Sequence, residues 1–153
     1  MIEIIKKRFK YIILILVIIF LDQTTKRILI SNIDELINKS CFIFKLAYIE
    51  NYGAAFNIFT GNRIFLTLIS IVCSIILIYL TLFRNGFNKL ERIGLSLILS
   101  GSIGNGIDRI LNGFVVDFIN LNFIKFPIFN IADISINVGF LLLIISIFNI
   151  KRK

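Results

Sequence analysis

Long apolar runs limit how this chain can fold more than any other feature of its sequence. Residues 64–83 contain no charged residue, and residues 129–150 contain a single acid close to their start. Two further runs, about 9–30 and 90–110, are apolar over most of their length. A helix of about 20 residues crosses the hydrocarbon core of a bilayer. With 58% hydrophobic and 17% charged residues, the chain is predicted to be an integral membrane protein with four transmembrane helices.

The four predicted spans leave little chain for anything else, so we expect a single membrane-embedded domain over residues 1–153. Two connections between the spans are long enough to hold structure of their own. Residues 41–51, CFIFKLAYIEN, and 113–121, GFVVDFINL, are rich in aromatic and β-branched residues. Such segments, bounded by turn residues, are typical of strands. The predicted fold is therefore mainly α-helical, with strands in the two connections.

The distribution of charge predicts an orientation in the membrane. If both termini and the loop at 84–92 share one side, that side holds the whole net charge of +8. The positive-inside rule makes this side cytoplasmic. Basic chains also bind nucleic acid, but these bases flank spans and no nucleic-acid-binding motif accompanies them, so no such partner is expected. The side carries Glu3 and Glu91 against the bases Lys6, Lys7, Arg8, Lys10, Arg84, Lys89, Arg92, Lys151, Arg152 and Lys153.

The basic stretch KKRFK before the first run suits a secretory signal peptide, but no small-residue cleavage site follows, so we expect an uncleaved first helix.

The residue types that the sequence lacks exclude several kinds of catalytic and metal site. The chain has no histidine, and its cysteines, Cys41 and Cys73, lie far apart. This excludes Ser-His-Asp and Cys-His catalysis and the usual zinc sites. We expect no metal, no cofactor and two inert thiols.

Polar residues cluster towards the predicted outer ends of the spans. Asp22 and Lys26 are four residues apart in the order that favours a same-face pair, which we interpret as a salt bridge that eases the first helix out of the membrane. In the third run, Gly101, Asn105 and Arg109 form a stripe beside small residues at positions 96, 100 and 104. Small residues let transmembrane helices approach closely. This run is predicted to be a packing face with a polar outer end.

Two acids stand in apolar surroundings. Asp117 lies between Val116 and Phe118, and Asp133 lies on the first turn of the last run. Asp133 also suits a structural role, since an N-cap at Asn130 and an acid three residues later resemble a capping box. Without histidine, two neighbouring carboxylates that share one proton can act as an aspartic protease pair. The residues by themselves leave both interpretations open.

Five blocks of sequence resemble a known family. They are DQTTK at 22–26, NYGAAF at 51–56, SGSIGNGIDR at 100–109, VVDF at 115–118 and FNIAD at 129–133. Their content and order resemble bacterial lipoprotein signal peptidase, or signal peptidase II, from end to end. Two positions depart from the family pattern: Ser100 stands where glycine is usual, and Ser135 stands where alanine is frequent. Both changes keep a small residue, so they affect packing rather than activity.

The resemblance implies an inner-membrane aspartic endopeptidase with four transmembrane helices and a small extracytoplasmic antiparallel β-sheet. Such enzymes remove the signal peptide from prolipoproteins immediately before the cysteine that carries a diacylglyceryl group, and the cyclic peptide globomycin inhibits them. The expected partners are prolipoproteins and membrane lipids, and we expect a monomer. The catalytic pair would be Asp117 and Asp133, the residues that bind substrate or support the pair would be Asn51, Gly101, Asn105, Arg109 and Asn130, and Asp22 and Lys26 would be structural.

The resemblance also suggests how the site is held together. Asn130 would cap the last helix and brace the pair, and Asn105 and Arg109 would hold the segment that bears Asp117, while Asn137 has no assigned role. Two other classes of function stay open. A proton-coupled transporter would use intramembrane acids, although here the acids lie near the ends of spans. A non-catalytic scaffold would use the small-residue stripe for assembly and both aspartates as caps.

Overall fold

The chain folds mainly into helices. The structure, a computed structural model, describes residues 2–54 and 58–150, with side chains for 8–54 and 58–149. Ala55 and Phe56 of the second block, and the C-terminal bases Lys151, Arg152 and Lys153, lie outside the described residues. A π-helical turn, Tyr79–Phe83, extends the third helix. The elements are α1 (Ile2–Ser31), α2 (Ile33–Leu36), β1 (Phe44–Asn51), α3 (Arg63–Ile78), α4 (Lys89–Leu111), β2 (Val115–Leu121) and α5 (Ile131–Ile150).

The four long helices, α1, α3, α4 and α5, coincide with the four apolar runs. Of the described residues, two segments are long and apolar enough to cross a membrane, Arg63–Phe83 with 21 residues and Ile131–Asn149 with 19. Charged and small residues lower the hydropathy of the other two helices, as Asp22 and Lys26 do in α1. Membrane crossing by α1 and α4 therefore stays a prediction.

The two strands pair as a small antiparallel sheet, which confirms that both long connections contain strands. Asn51 at the end of β1 lies opposite Val115 at the start of β2. A separate bridge joins Ile119 of β2 to Phe129, directly before α5. These two pairings place Asp117, in the middle of β2, between the end of β1 and the start of α5.

Helix α4 is the centre of the helical bundle and packs against α1, α3 and α5. A Cβ atom added to Gly101 would lie 2.3 Å from the carbonyl oxygen of Ala132, and one added to Gly94 would lie 2.8 Å from that of Gly139. The backbones of α4 and α5 are thus in direct contact at two levels. The prediction that small residues in this run form a packing face is confirmed.

Helices α3 and α4 also cap one another. Arg63, on the first turn of α3, donates from Nε and Nη2 to the carbonyls of Arg109 and Ile110 at 2.9 and 2.8 Å. Arg92, on the first turn of α4, donates from Nη1 to the carbonyl of Thr81 at 2.8 Å. The last carbonyls of a helix lack intrahelical partners and carry partial negative charge. Each guanidinium group therefore stabilises the end of the neighbouring helix.

Candidate active site

Asp117 is buried in the sheet with two amide groups directed at it. Its carboxylate accepts from Asn51 Nδ2 at Oδ2, 2.9 Å, and from Asn130 Nδ2 at Oδ1, 2.7 Å. The residue is 2% exposed. Burial, followed by the nearby charge of Asp133, raises the pKa of Asp117 to about 7 against the opposing effect of the two hydrogen bonds. Asp117 is therefore able to hold a proton close to neutral pH.

Asp133 lies on the first turn of α5 and takes part in a reciprocal cap. Its backbone N–H donates to Asn130 Oδ1 at 2.9 Å, and the backbone N–H of Asn130 donates to Asp133 Oδ2 at 3.2 Å. Asn105 Nδ2 donates to the other carboxylate oxygen at 2.8 Å. The predicted capping arrangement is confirmed. The helix N-terminus and these donors together offset the cost of placing an acid here.

Asn130 brings the two aspartates to one place. The side chain is fully buried, and its Nδ2 donates to Asp117 Oδ1, to Asn105 Oδ1 at 3.1 Å and to the carbonyl of Val116 at 3.2 Å. Its Oδ1 and backbone N–H are both bonded to Asp133. One residue therefore fixes the strand that bears the first acid relative to the helix that bears the second.

A buried cluster of charge lies behind this pair. Lys26 Nζ is 2.8 Å from both Asp22 Oδ2 and Asp108 Oδ2, and it donates to Asn105 Oδ1 at 3.1 Å. Asp22 Oδ1 accepts from the backbone N–H of Ala132 in α5 at 2.9 Å. The predicted Asp22–Lys26 pair is present. The interpretation that it eases α1 out of the membrane is wrong, because both residues are buried where α1 meets α4 and α5.

The expected roles of two α4 residues need correction. Asn105 and Arg109 were expected to hold the segment that bears Asp117. Instead, Asn105 donates to Asp133, and Arg109 Nη2 donates at 3.0 Å to the carbonyl of Gly53, in the loop after β1. The hydrogen bonds to Asp117 come from Asn51 and Asn130. The resemblance named these residues as supporting the pair but did not determine which partner each one contacts.

A cavity of about 770 Å³ opens at the two aspartates. Asp117, Asp133, Asn105 and Arg109 form its polar end. Asn137, which had no predicted role, also borders it and donates from Nδ2 to the carbonyl of Asp133 at 2.9 Å. The segment 126–129 also lines it, and apolar side chains of three helices form most of the remaining wall, among them Ile69, Leu95, Ile98 and Phe140. The arrangement suits an apolar segment whose polar backbone must reach a pair of carboxylates.

The sequence analysis did not predict that two residues, Gln23 and Asp108, belong to the buried cluster of charge around Lys26. Gln23 Nε2 donates to Asp108 Oδ1 at 2.9 Å and to the carbonyl of Gly104 at 3.2 Å. Asp108 Oδ2 accepts from the backbone N–H of Val116 at 3.2 Å. Asp108 lies at the predicted polar outer end of its run, where it had no assigned partner. Both residues belong to the matching blocks DQTTK and SGSIGNGIDR, which was the available signal.

Comparison with known proteins agrees with this architecture. A solved bacterial membrane enzyme, determined by the in meso method at 2.3 Å resolution, superimposes with a TM-score of 0.81 at 34% sequence identity, covering 92% of this chain and 88% of that one. A second bacterial membrane enzyme, determined by the same method at 1.9 Å, gives a TM-score of 0.77 at 35% identity over 90% and 92% of the two chains. The fold is that of a membrane enzyme.

Sequence relatives define the family. The model of the signal peptidase (SPase) II family matches residues 14–149. A lipoprotein signal peptidase from Clostridium tetani is 46% identical over 144 residues, covering 89% of this chain and 90% of the relative. One from Microcystis aeruginosa is 38% identical over 151 residues, covering 97% of each chain. The chain belongs to the signal peptidase II family, and it is therefore a peptidase.

Proposed function

We propose that Asp117 and Asp133 are the catalytic pair of an aspartic peptidase. The observation that carries this proposal is Asn130, which bonds to both carboxylates and fixes them at one end of a cavity. Membership of the signal peptidase II family and the lipoprotein signal peptidase relatives give the reaction, removal of signal peptides from prolipoproteins. A transporter or a scaffold is not favoured, because neither accounts for these matches.

The proposed reaction uses only the two carboxylates and water. Like charges in close proximity favour a pair that shares one proton. The ionised carboxylate takes a proton from water as the oxygen attacks the scissile carbonyl carbon, and the protonated carboxyl group donates its proton to the carbonyl oxygen. The resulting gem-diol collapses when its hydroxyl proton returns to one carboxylate and the other protonates the leaving nitrogen. The C–N bond then breaks, and the pair again holds one proton.

We propose a lipid-anchored substrate that is cleaved immediately before its diacylglyceryl cysteine. The lining of the cavity supports this proposal. The cavity wall beyond the aspartates is mostly apolar over α3, α4 and α5, so it suits both the apolar core of a signal peptide and acyl chains. Arg109, which bonds to the carbonyl of Gly53, ties the loop after β1 to the rim. Asn51 holds Asp117 and also accepts from the backbone N–H of Gly53 at 2.9 Å.

The remaining supporting residues have distinct proposed roles. Gly101 allows the contact of α4 with α5 that places Asp133 beside Asn105. Asp22 and Lys26 act structurally, because they join α1 to the two helices of the site.

We further propose that α1, α3, α4 and α5 all cross the bacterial inner membrane, within a single domain over 1–153. The described basic side chains Arg8, Arg84 and Arg92 lie at the end of the bundle away from the aspartates, which the positive-inside rule makes cytoplasmic. Both termini then lie in the cytoplasm, and the sheet and active site lie at the outer surface. All proposed catalytic and supporting residues come from one chain, so a monomer suffices.

The experiment that tests the proposal compares wild type with Asp117→Asn and Asp133→Asn. Purified proteins in detergent are incubated with a diacylglyceryl-modified prolipoprotein, with and without globomycin, and cleavage is followed by gel shift. Cleavage is expected from wild type alone and should be blocked by the inhibitor. Asp22→Asn serves as a comparison, since it alters a buried aspartate outside the pair and should lower stability more than it lowers turnover.

Two results would contradict the proposal. Substantial cleavage by Asp117→Asn or by Asp133→Asn would show that the carboxylate removed is dispensable for hydrolysis. Failure of both variants to accumulate in the membrane, or a large fall in their unfolding temperatures, would assign their inactivity to lost structure.

A further inference from the structure

The loop between α3 and α4, residues 84–88, is a focus of positive charge remote from the active site. The guanidinium carbons of Arg84 and Arg92 lie 5.6 and 5.9 Å from the centre of the Phe87 ring. Arg8 of α1 donates from Nη2 to Asn85 Oδ1 at 3.1 Å. Arg8 and Arg92 are close enough for their charges to repel. Three guanidinium groups from three elements therefore gather around one short loop.

Among the described side chains, this arginine cluster, Arg8, Arg84 and Arg92, is incompletely neutralised. Arg8 Nε is buried without a hydrogen-bond partner among the described residues. Glu91 is the acid that acts on Arg92, but its Oε2 accepts from the backbone N–H of Asn88 at 2.7 Å and its Oε1 accepts from Ser146 at 3.2 Å. Within the part of the chain whose side chains are described, the cluster thus keeps an excess positive charge and an unused donor.

The surroundings of the arginine cluster are apolar and exposed. Phe9 is 59% exposed, Tyr79 58% and Phe83 43%. These side chains lie on α1 and on the π-helical turn that directly precedes Arg84. Along α4, Arg92 is 13 positions from Asn105, or about 20 Å at 1.5 Å per residue. The cluster therefore lies at the opposite end of the bundle from the catalytic pair, where charged loop and apolar surface meet.

We propose that the arginine cluster binds the phosphate of an anionic phospholipid headgroup. Guanidinium groups form strong, charge-assisted hydrogen bonds to phosphate, and basic pockets between transmembrane helices bind anionic headgroups on the cytoplasmic side. The phosphate places negative charge beside Arg8 and the exposed Arg84 and offsets the repulsion between Arg8 and Arg92. The acyl chains cover the exposed rings of Phe83 and Tyr79, which a free phosphate ion would leave uncovered.

Binding of defined lipids to the purified full chain tests this site. Phosphatidylglycerol and phosphatidylcholine are titrated in a neutral detergent and bound lipid is counted by native mass spectrometry, with inorganic phosphate as a third arm. Wild type should bind phosphatidylglycerol with clear preference. The double variant Arg8→Gln/Arg84→Gln should bind it about ten-fold more weakly, since each base near the surface contributes to attraction of anionic lipid. Arg27→Gln, an exposed arginine near the other end of α1, is the matched control and should behave as wild type.

A second variant keeps the test decisive if the double variant folds poorly in lipid-free detergent. Asn85→Asp places a carboxylate on an exposed loop residue beside Arg8, so it supplies an internal counter-ion and should also weaken phosphatidylglycerol binding. Equal affinity of wild type for both lipids would overturn the proposal, as would unchanged binding in Asn85→Asp. Inorganic phosphate that binds as tightly as phosphatidylglycerol would overturn the lipid assignment.

Discussion

Asn130 donates a hydrogen bond from Nδ2 to Asp117 Oδ1 at 2.7 Å, across 13 residues of sequence. The same residue caps α5 by accepting from the backbone N–H of Asp133. A helix cap and the positioning of two acids are thus performed by one amide side chain. The effect of losing the helix cap can be separated from the effect of misplacing the two acids, because Asn88 forms another asparagine cap far from the site.

Asn130→Ala is expected to reduce cleavage about a hundred-fold, since small misplacements of catalytic groups have effects of that size. It should also lower the free energy of unfolding by more than about 1 kcal/mol, the usual cost of a lost cap, because the buried bonds from its Nδ2 are lost as well. Asn88→Ala is the matched control, because Asn88 forms the capping box of α4 with Glu91. It should lose about the stability of one cap and keep its activity. Comparable loss of cleavage in the two variants would contradict a positioning role for Asn130.

The pH dependence of cleavage should reflect the titration of the proton that Asp117 and Asp133 share. Because burial and Asp133 raise the pKa of Asp117 to about 7, kcat/KM is expected to fall as pH rises through that value and the pair loses its proton. Asn51 donates to the ionised form of Asp117 and lowers its pKa. Asn51→Ala should therefore move the alkaline limb of the profile to higher pH.

The control for this shift is Asn120→Ala, which alters an asparagine on the same strand as Asp117 and should leave the position of the limb unchanged. An Asn51→Ala profile that falls at the same pH as wild type would show that another group sets the alkaline limb.

Lys26→Met should strongly destabilise the protein, because it leaves Asp22 and Asp108 buried without their shared cation. Breaking a buried ion pair in this way costs about 3–5 kcal/mol. Lys39→Met is the control, since Lys39 and Glu35 form an exposed pair at the same 2.8 Å distance and sequence spacing, and solvent screening makes such a pair weak. Unfolding temperatures in detergent measure both. Equal effects would mean that burial does not determine the strength of these pairs.

Gly101→Ala should separate α4 from α5, because the new Cβ would lie 2.3 Å from the carbonyl of Ala132. Overpacking of this kind costs about 1–3 kcal/mol, and activity should fall as Asp133 moves from Asn105. Gly106→Ala on the same helix is the control, since its Cβ would meet Ser70 at an ordinary 3.4 Å. Unfolding temperature and cleavage rate are measured together, and an unaffected Gly101→Ala protein would refute the proposed close contact.

Local patterns determined much of this protein from sequence alone. Apolar runs of membrane-spanning length predicted the four long helices, and aromatic and β-branched segments predicted both strands. The cap formed by Asn130 and Asp133 was also predictable, because its partners are three residues apart. The five matching blocks identified the candidate site residues by their positions in the sequence, without their contacts.

Only the tertiary structure decided how those residues contact one another. Asn105 bonds to Asp133 across 28 residues and Asn51 bonds to Asp117 across 66, while Arg109 reaches Gly53 across 56. Such contacts depend on how helices and strands pack, and a periodic pattern specifies which face is buried without specifying what it meets. The same limit made Asp22 and Lys26 look like a pair at the membrane surface. Burial against two other helices made them part of the frame of the site.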